Sequence, residues 1–108
     1  MPTYHKLVRD RIPEIIHSTG KELKTEILNN TRYIEELKKK LNEEVTEYQE
    51  ATTDEEALEE LADVLELMHA LAQQHGATID DVEKVRKDKA EKRGAFNEKI
   101  YLIEVEDD

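Results

Sequence analysis

The chain of 108 residues has no cysteine, which excludes disulfides and thiolate metal sites. Tryptophan is also absent, and there are only three glycines and two prolines. A sandwich or barrel needs many tight turns, so this shortage favours long helices. Aromatic residues make up only 5% of the chain. No apolar run is long enough for a secretory leader or a membrane-spanning helix, so a cytoplasmic protein without a membrane partner is expected. Excess positive charge is missing as well. The formal net charge of -11 argues against a nucleic-acid polymer as partner, because that demands a basic footprint. The length suits one domain over residues 1–108. Apolar residues are 37% and charged residues 40%, so the core is modest, and long surface-exposed helices and oligomerisation both fit.

The most informative absence is local. Residues 43–66 carry eleven carboxylates and no lysine or arginine. That stretch holds the whole net charge, since the remaining 16 acidic residues balance 16 basic ones. An ordinary surface helix mixes signs to gain pairs four residues apart, as residues 35–40 do, and like charges at that spacing are destabilising. Two acidic pairs stand out, Glu44-x-x-Glu47 and Glu60-x-x-Asp63. Residues three apart share a helix face. Glu47 and Glu60 are equidistant from a turn signal at Thr53 and Asp54, and so are Glu44 and Asp63. A helical hairpin therefore brings the four carboxylates to matching heights. Four clustered acids repel unless cations neutralise them, and oxygen ligands of this kind select Mg²⁺ or Mn²⁺. The competing reading is a solvated acidic face.

The punctuation predicts four helices and an all-α fold. Pro13 opens a short first helix and Gly20 closes it. Residues 21–28 read as a short extended piece. From Thr31, Ile34, Leu37, Leu41, Val45 and Tyr48 recur at helical spacing. Thr53 with Glu56 reads as a capping box for a third helix, whose main stripe is Leu58, Leu61, Ala62, Leu65, Met68 and Leu71, ending at Gly76. Leu67 and Ala70 share a second face with Glu60 and Asp63, which reads as a contact with another helix of the chain or with a second subunit. Thr78 and Asp81 form a second capping box, and the last helix ends near Gly94. The apolar residues 100–105 read as an extended arm packing on this subunit or on a partner.

Two further groups bear on function. Glu66-x-x-His69 has the spacing of di-iron carboxylate bundles, but those need the motif twice, and His69 falls on the main apolar stripe, as a core histidine does. On the last helix Ile79, Val82, Arg86, Lys89 and Arg93 share one face, so the three basic side chains are expected to point inward. Lys6, Arg9 and Arg11 form a second basic group. Metal-binding carboxylates beside lysine and arginine suit a polyphosphate ester, whereas no glycine-rich phosphate loop is present.

The chain resembles a known family. Glu43-Glu44-x-x-Glu47 with Glu60-x-x-Asp63 is similar to the EExxE…ExxD signature of the MazG-like all-α nucleoside triphosphate pyrophosphohydrolases. Residues 5–13 (HKLVRDRIP) and 92–96 (KRGAF) resemble its small phosphoribosyl-ATP pyrophosphohydrolase-like branch, with Ala95 where a second glycine is expected. The resemblance implies a four-helix MazG-like bundle with a central acidic hairpin, assembled as a homodimer or homotetramer. It implies cleavage of a nucleotide substrate between the α and β phosphates, releasing pyrophosphate, in a house-cleaning role. By the same carry-over Glu44, Glu47, Glu60 and Asp63 are the Mg²⁺ ligands, with Mn²⁺ able to substitute. Glu43 is the catalytic base or a residue supporting the ligands, and Lys6, Arg9, Lys89, Lys92 and Arg93 contact substrate. The rival from another class is a helical module that binds nucleotide or protein without turnover.

Overall fold

The computed structural model describes residues 2–107. Its helices are α1 (Ile12–Ser18), α2 (Asn30–Glu50), α3 (Asp54–Gln74) and α4 (Ile79–Arg93), and there is no strand among the described residues. The all-α expectation holds. Residues 21–28 and 100–107 belong to no helix or strand.

Local chemistry sets the boundaries. The Asn29 side chain caps α2 by accepting from the Arg32 N–H at 2.9 Å. Thr53 caps α3 by accepting from the Glu56 N–H at 3.1 Å. The expected reciprocal bond slips by one residue, because the Glu56 carboxylate accepts from the Thr52 N–H at 3.1 Å. The box on α4 is complete: Asp81 accepts from the Thr78 N–H at 2.9 Å, and the Asp81 N–H donates to the Thr78 hydroxyl at 3.4 Å. After α3 the chain reverses through Gly76 at φ +69°, a left-handed conformation that glycine adopts at no steric cost.

The core is the α2–α3 hairpin, joined by residues 51–53. It buries Leu37 and Glu44 from α2 and Leu67 from α3, while Ala72, on the leucine side, is buried near the turn into α4. This corrects the expected assignment of faces. The Leu67 face, shared with Glu60 and Asp63, packs inside the chain. The stripe of Leu58, Leu61, Leu65 and Met68 is open to solvent, with Leu58 at 66% exposure. At about 100° per residue the two faces lie on nearly opposite sides of α3, so only one can meet α2. His69 goes with the open side and is exposed, so it is not a core histidine.

The molecule measures 63 × 36 × 26 Å with a radius of gyration of 18.7 Å. A compact chain of this length has a radius near 13 Å. Its accessible surface is 10276 Å², whereas a folded monomer of this size exposes about 6,200 Å². The excess is comparable with the roughly 2,000–5,000 Å² buried in obligate interfaces. Association should therefore stabilise the fold by mass action. A hundredfold dilution is expected to lower the melting temperature by about 5–10 °C. A melting temperature independent of concentration in scanning calorimetry would refute this.

Candidate metal centre

The hairpin register carries three carboxylates to one point. Glu44 and Glu47 lie a turn apart on α2, Glu60 faces them from α3, and one oxygen of each lies within 4.8 Å of the others. Glu44 is 7% exposed, Glu60 is half-buried and Glu47 is exposed. One oxygen of Glu44 and one of Glu60, the Oε2 atoms, are buried and receive no hydrogen bond from the backbone or from a basic side chain. A buried acceptor without a donor is costly and calls for an explanation. Asp63, one turn further along α3, is engaged otherwise. The Arg9 guanidinium donates to its Oδ1 at 2.7 Å and lies 3.9 Å from Glu66.

This crowding shifts protonation. Burial, followed by hydrogen bonding with Glu60 and Glu47 and the charges of Glu47 and Asp63, pushes Glu44 up to about 8. For Glu60, the hydrogen bond with Glu44 pulls down, while desolvation and its neighbours, Glu47 and Asp63, push up, and the balance is a raised pKa. The pair holds a proton that separate carboxylates would have released at neutral pH. Converging hard oxygen ligands, two of them buried and unpartnered, with charge suppressed by repulsion, fit a divalent cation.

Two cations that sequence reasoning did not assign to the cluster also serve it. Lys40 places Nζ 3.9 Å from Glu44, one turn ahead of it and just upstream of the all-acidic stretch. Its spacing of four residues was the available signal. Arg9 reaches the cluster across 54 positions, a link that spacing does not reveal. In the single chain Arg9 is paired with Asp63, one of the proposed ligands. Lys6 lies in a small cleft with Glu43 and Lys39, beside the cluster. Its ammonium sits 5.6 Å from the centre of the Tyr4 ring.

The α4 residues are placed differently. Arg86, Lys89, Lys92 and Arg93 are all exposed, and none forms an ion pair with the hairpin among the described residues. The inward-pointing face expected for Arg86, Lys89 and Arg93 is therefore not formed in the single chain. α4 touches α3 sparingly and buries no residue, so its basic half has no surface to pack against. Arg86 is held instead by Glu83 through Nε at 2.9 and 2.8 Å.

The raised Glu44 predicts an unusual pH dependence. The folded state keeps a proton that the unfolded state loses above about 4.5, so the metal-free protein is stabilised at low pH. That contribution fades as pH rises towards about 8. Urea unfolding with a chelator is expected to show falling stability from pH 5 to 8, and Glu44→Gln to flatten that slope. An unchanged slope in the variant would refute the assignment.

A model described as the MazG-like family matches residues 27–103, which include α2, α3, α4 and the acidic cluster. An uncharacterized protein of Mycolicibacterium smegmatis (strain ATCC 700084 / mc(2)155) is 44% identical over 54 residues, or 50% of this chain and 55% of that protein. The chain thus spans about half the length of the curated relative it matches. No solved structure matches it. With its helical hairpin, its acidic cluster and a family match over most of its length, the chain belongs to the MazG-like family.

Proposed function

We propose that the protein is a Mg²⁺-dependent nucleoside triphosphate pyrophosphohydrolase. It cleaves between the α and β phosphates to give a nucleoside monophosphate and pyrophosphate, and it serves in clearing unwanted nucleotides from the cytoplasm. The observation that carries this reading is the convergence of Glu44, Glu47 and Glu60 within 4.8 Å, with buried, unpartnered oxygens on Glu44 and Glu60. Family membership supports it, because the sequence signature of these enzymes falls on the same residues.

Glu44, Glu47, Glu60 and Asp63 hold the cation, with Mn²⁺ an acceptable substitute. Once bound, the ion neutralises the carboxylates and polarises the phosphate oxygens. The chain's own groups do the rest. Glu43 accepts the proton of the attacking water on a carboxylate oxygen, which suits its exposed position beside the cluster. The water oxygen bonds to the α phosphorus, and the bridging oxygen leaves with pyrophosphate. Lys6 and Arg9 approach from the segment before α1, and Lys89, Lys92 and Arg93 from α4. These side chains bind phosphate charge that the ion leaves unpaired. Arg9 also fixes Asp63, so its loss should disorder a ligand as well as weaken substrate binding.

The test is pyrophosphate release from a panel of canonical, deoxy and modified nucleoside triphosphates and phosphoribosyl-ATP, with Mg²⁺ or Mn²⁺. Metal-dependent release is expected. Folding and cation binding without release from any substrate would favour a non-catalytic binding module. Glu47→Gln and Asp63→Asn are expected to lower turnover about 100-fold or more with the helices intact by circular dichroism. Either variant retaining wild-type rates would exclude the site. Glu43→Gln should separate the base from the ligands. Its turnover is expected to fall by about 10²–10⁴ while the cation still raises the melting temperature. Loss of that thermal shift would make Glu43 a ligand instead.

A further inference from the structure

Two apolar surfaces stay open in the single chain, and their surroundings differ in charge. The leucine stripe of α3 shares its helix with Glu55, Glu59 and Glu66 and belongs to the acidic hairpin. The other surface is a trough along α4 lined by Val82, Val85, Arg86 and Lys89. Its floor is apolar and its downstream end is basic, continuing into Lys92 and Arg93.

Residues 100–107 have the complementary order. Ile100, Tyr101, Leu102, Ile103 and Val105 are between 73% and 89% exposed, a density of bare apolar side chains that single folded chains rarely carry. Glu104, Glu106 and Asp107 lie at the end of the same segment. In an extended segment alternate side chains share a face, which groups Tyr101, Ile103 and Val105. Eight extended residues span about 26 Å, against about 22 Å for the 15 residues of α4.

Charge fixes both the surface and the direction. On the α3 stripe the acidic end would meet acids in one direction and, in the other, residues 67–74, which offer no lysine or arginine. On α4 it meets Arg86, Lys89 and Lys92 only if the segment runs parallel to the helix, with Lys99 towards Asp80 and Asp81. The chain's own α4 cannot readily take this arrangement. The segment starts from the basic end of that helix, after a turn in which the Lys99 N–H donates to the Phe96 carbonyl at 3.4 Å and Lys99 sits at φ +59°. Folding back from there would run antiparallel and bring Glu104 and Glu106 towards Asp80 and Asp81. We infer that residues 100–107 of one copy lie along α4 of a second copy, with Tyr101, Ile103 and Val105 facing Val82 and Val85 and with the acidic end of the segment lying over the basic end of that helix, its carboxylates on the outer face within reach of the long arginine and lysine side chains from the flanks. The large excess of accessible surface over a compact monomer is the area such an exchange helps to bury. The inference shares Lys89 and Lys92 with the proposed substrate contacts, but the arm and the valines lie outside the acidic cluster and cross-linking does not depend on turnover, so it is tested apart from the catalytic reading.

The absence of cysteine makes the test direct. Val85→Cys and Ile103→Cys are prepared separately with different tags, checked for helicity by circular dichroism, mixed and treated with a short bismaleimide. A mixed cross-linked dimer is expected, severalfold above the yield from Leu58→Cys with Ile103→Cys. Adding Glu104→Lys and Glu106→Lys to the Ile103→Cys chain should reduce the yield severalfold. A second pair, Val82→Cys with Tyr101→Cys, serves if a member of the first fails to fold. The inference is overturned if neither pair exceeds the Leu58 control. It is equally overturned if Val85→Cys and Ile103→Cys in one chain react only with each other at every protein concentration.

Discussion

A carboxyl group taken out of water between two helices governs how α2 and α3 meet. Glu44 is as inaccessible as Leu67, and it faces Glu60 and Glu47 with no backbone or basic donor for its buried oxygen. Burying charge in this way is unfavourable, so the hairpin holds a proton there, well above the usual carboxylate range. The apolar contacts on either side, Leu37 and Leu67, must offset that cost. Core and site are therefore one interface, and the register that stacks the leucines also converges the acids. A cation replacing the proton would turn a destabilising feature of the fold into a stabilising one.

The same register explains the surface left uncovered. α3 carries apolar side chains on two sides, and α2 can cover only one. The side chosen is the one bearing Glu60 and Asp63, so Leu58, Leu61 and Leu65 face outward. α4 and the segment after it add more uncovered apolar area.

The sequence was legible where the signal was local. Thr53, Thr78 and Gly76 sit where capping and turn chemistry demand them, whereas the Asn29 cap lies just ahead of Thr31, from which the apolar spacing was read. The cluster was legible because Glu44, Glu47 and Glu60 are fixed by helical spacing and a short connection. Less was visible where two answers had the same pattern. Both faces of α3 have helical periodicity, and only the pairing with α2 decides between them, which is why His69 and the leucines were placed inside. Arg9 with Asp63 depends on where an irregular segment crosses the hairpin, and nothing local records that. The basic face of α4 continues an apolar stripe by spacing, yet its direction depends on packing that a single chain does not supply.

The connection between α2 and α3, residues 51–53, has a kinetic meaning. Closing so short a loop takes far less than a millisecond, and its entropic cost is small. The carboxylates are thus brought together in a first-order step, by contacts close in sequence and independent of how many molecules are present. Covering the outer apolar faces is second-order and slows as the chain becomes dilute. Newly made protein at low abundance would hold an assembled cluster of acids before it has a partner, so the order of events on folding is ligand geometry first and quaternary packing afterwards.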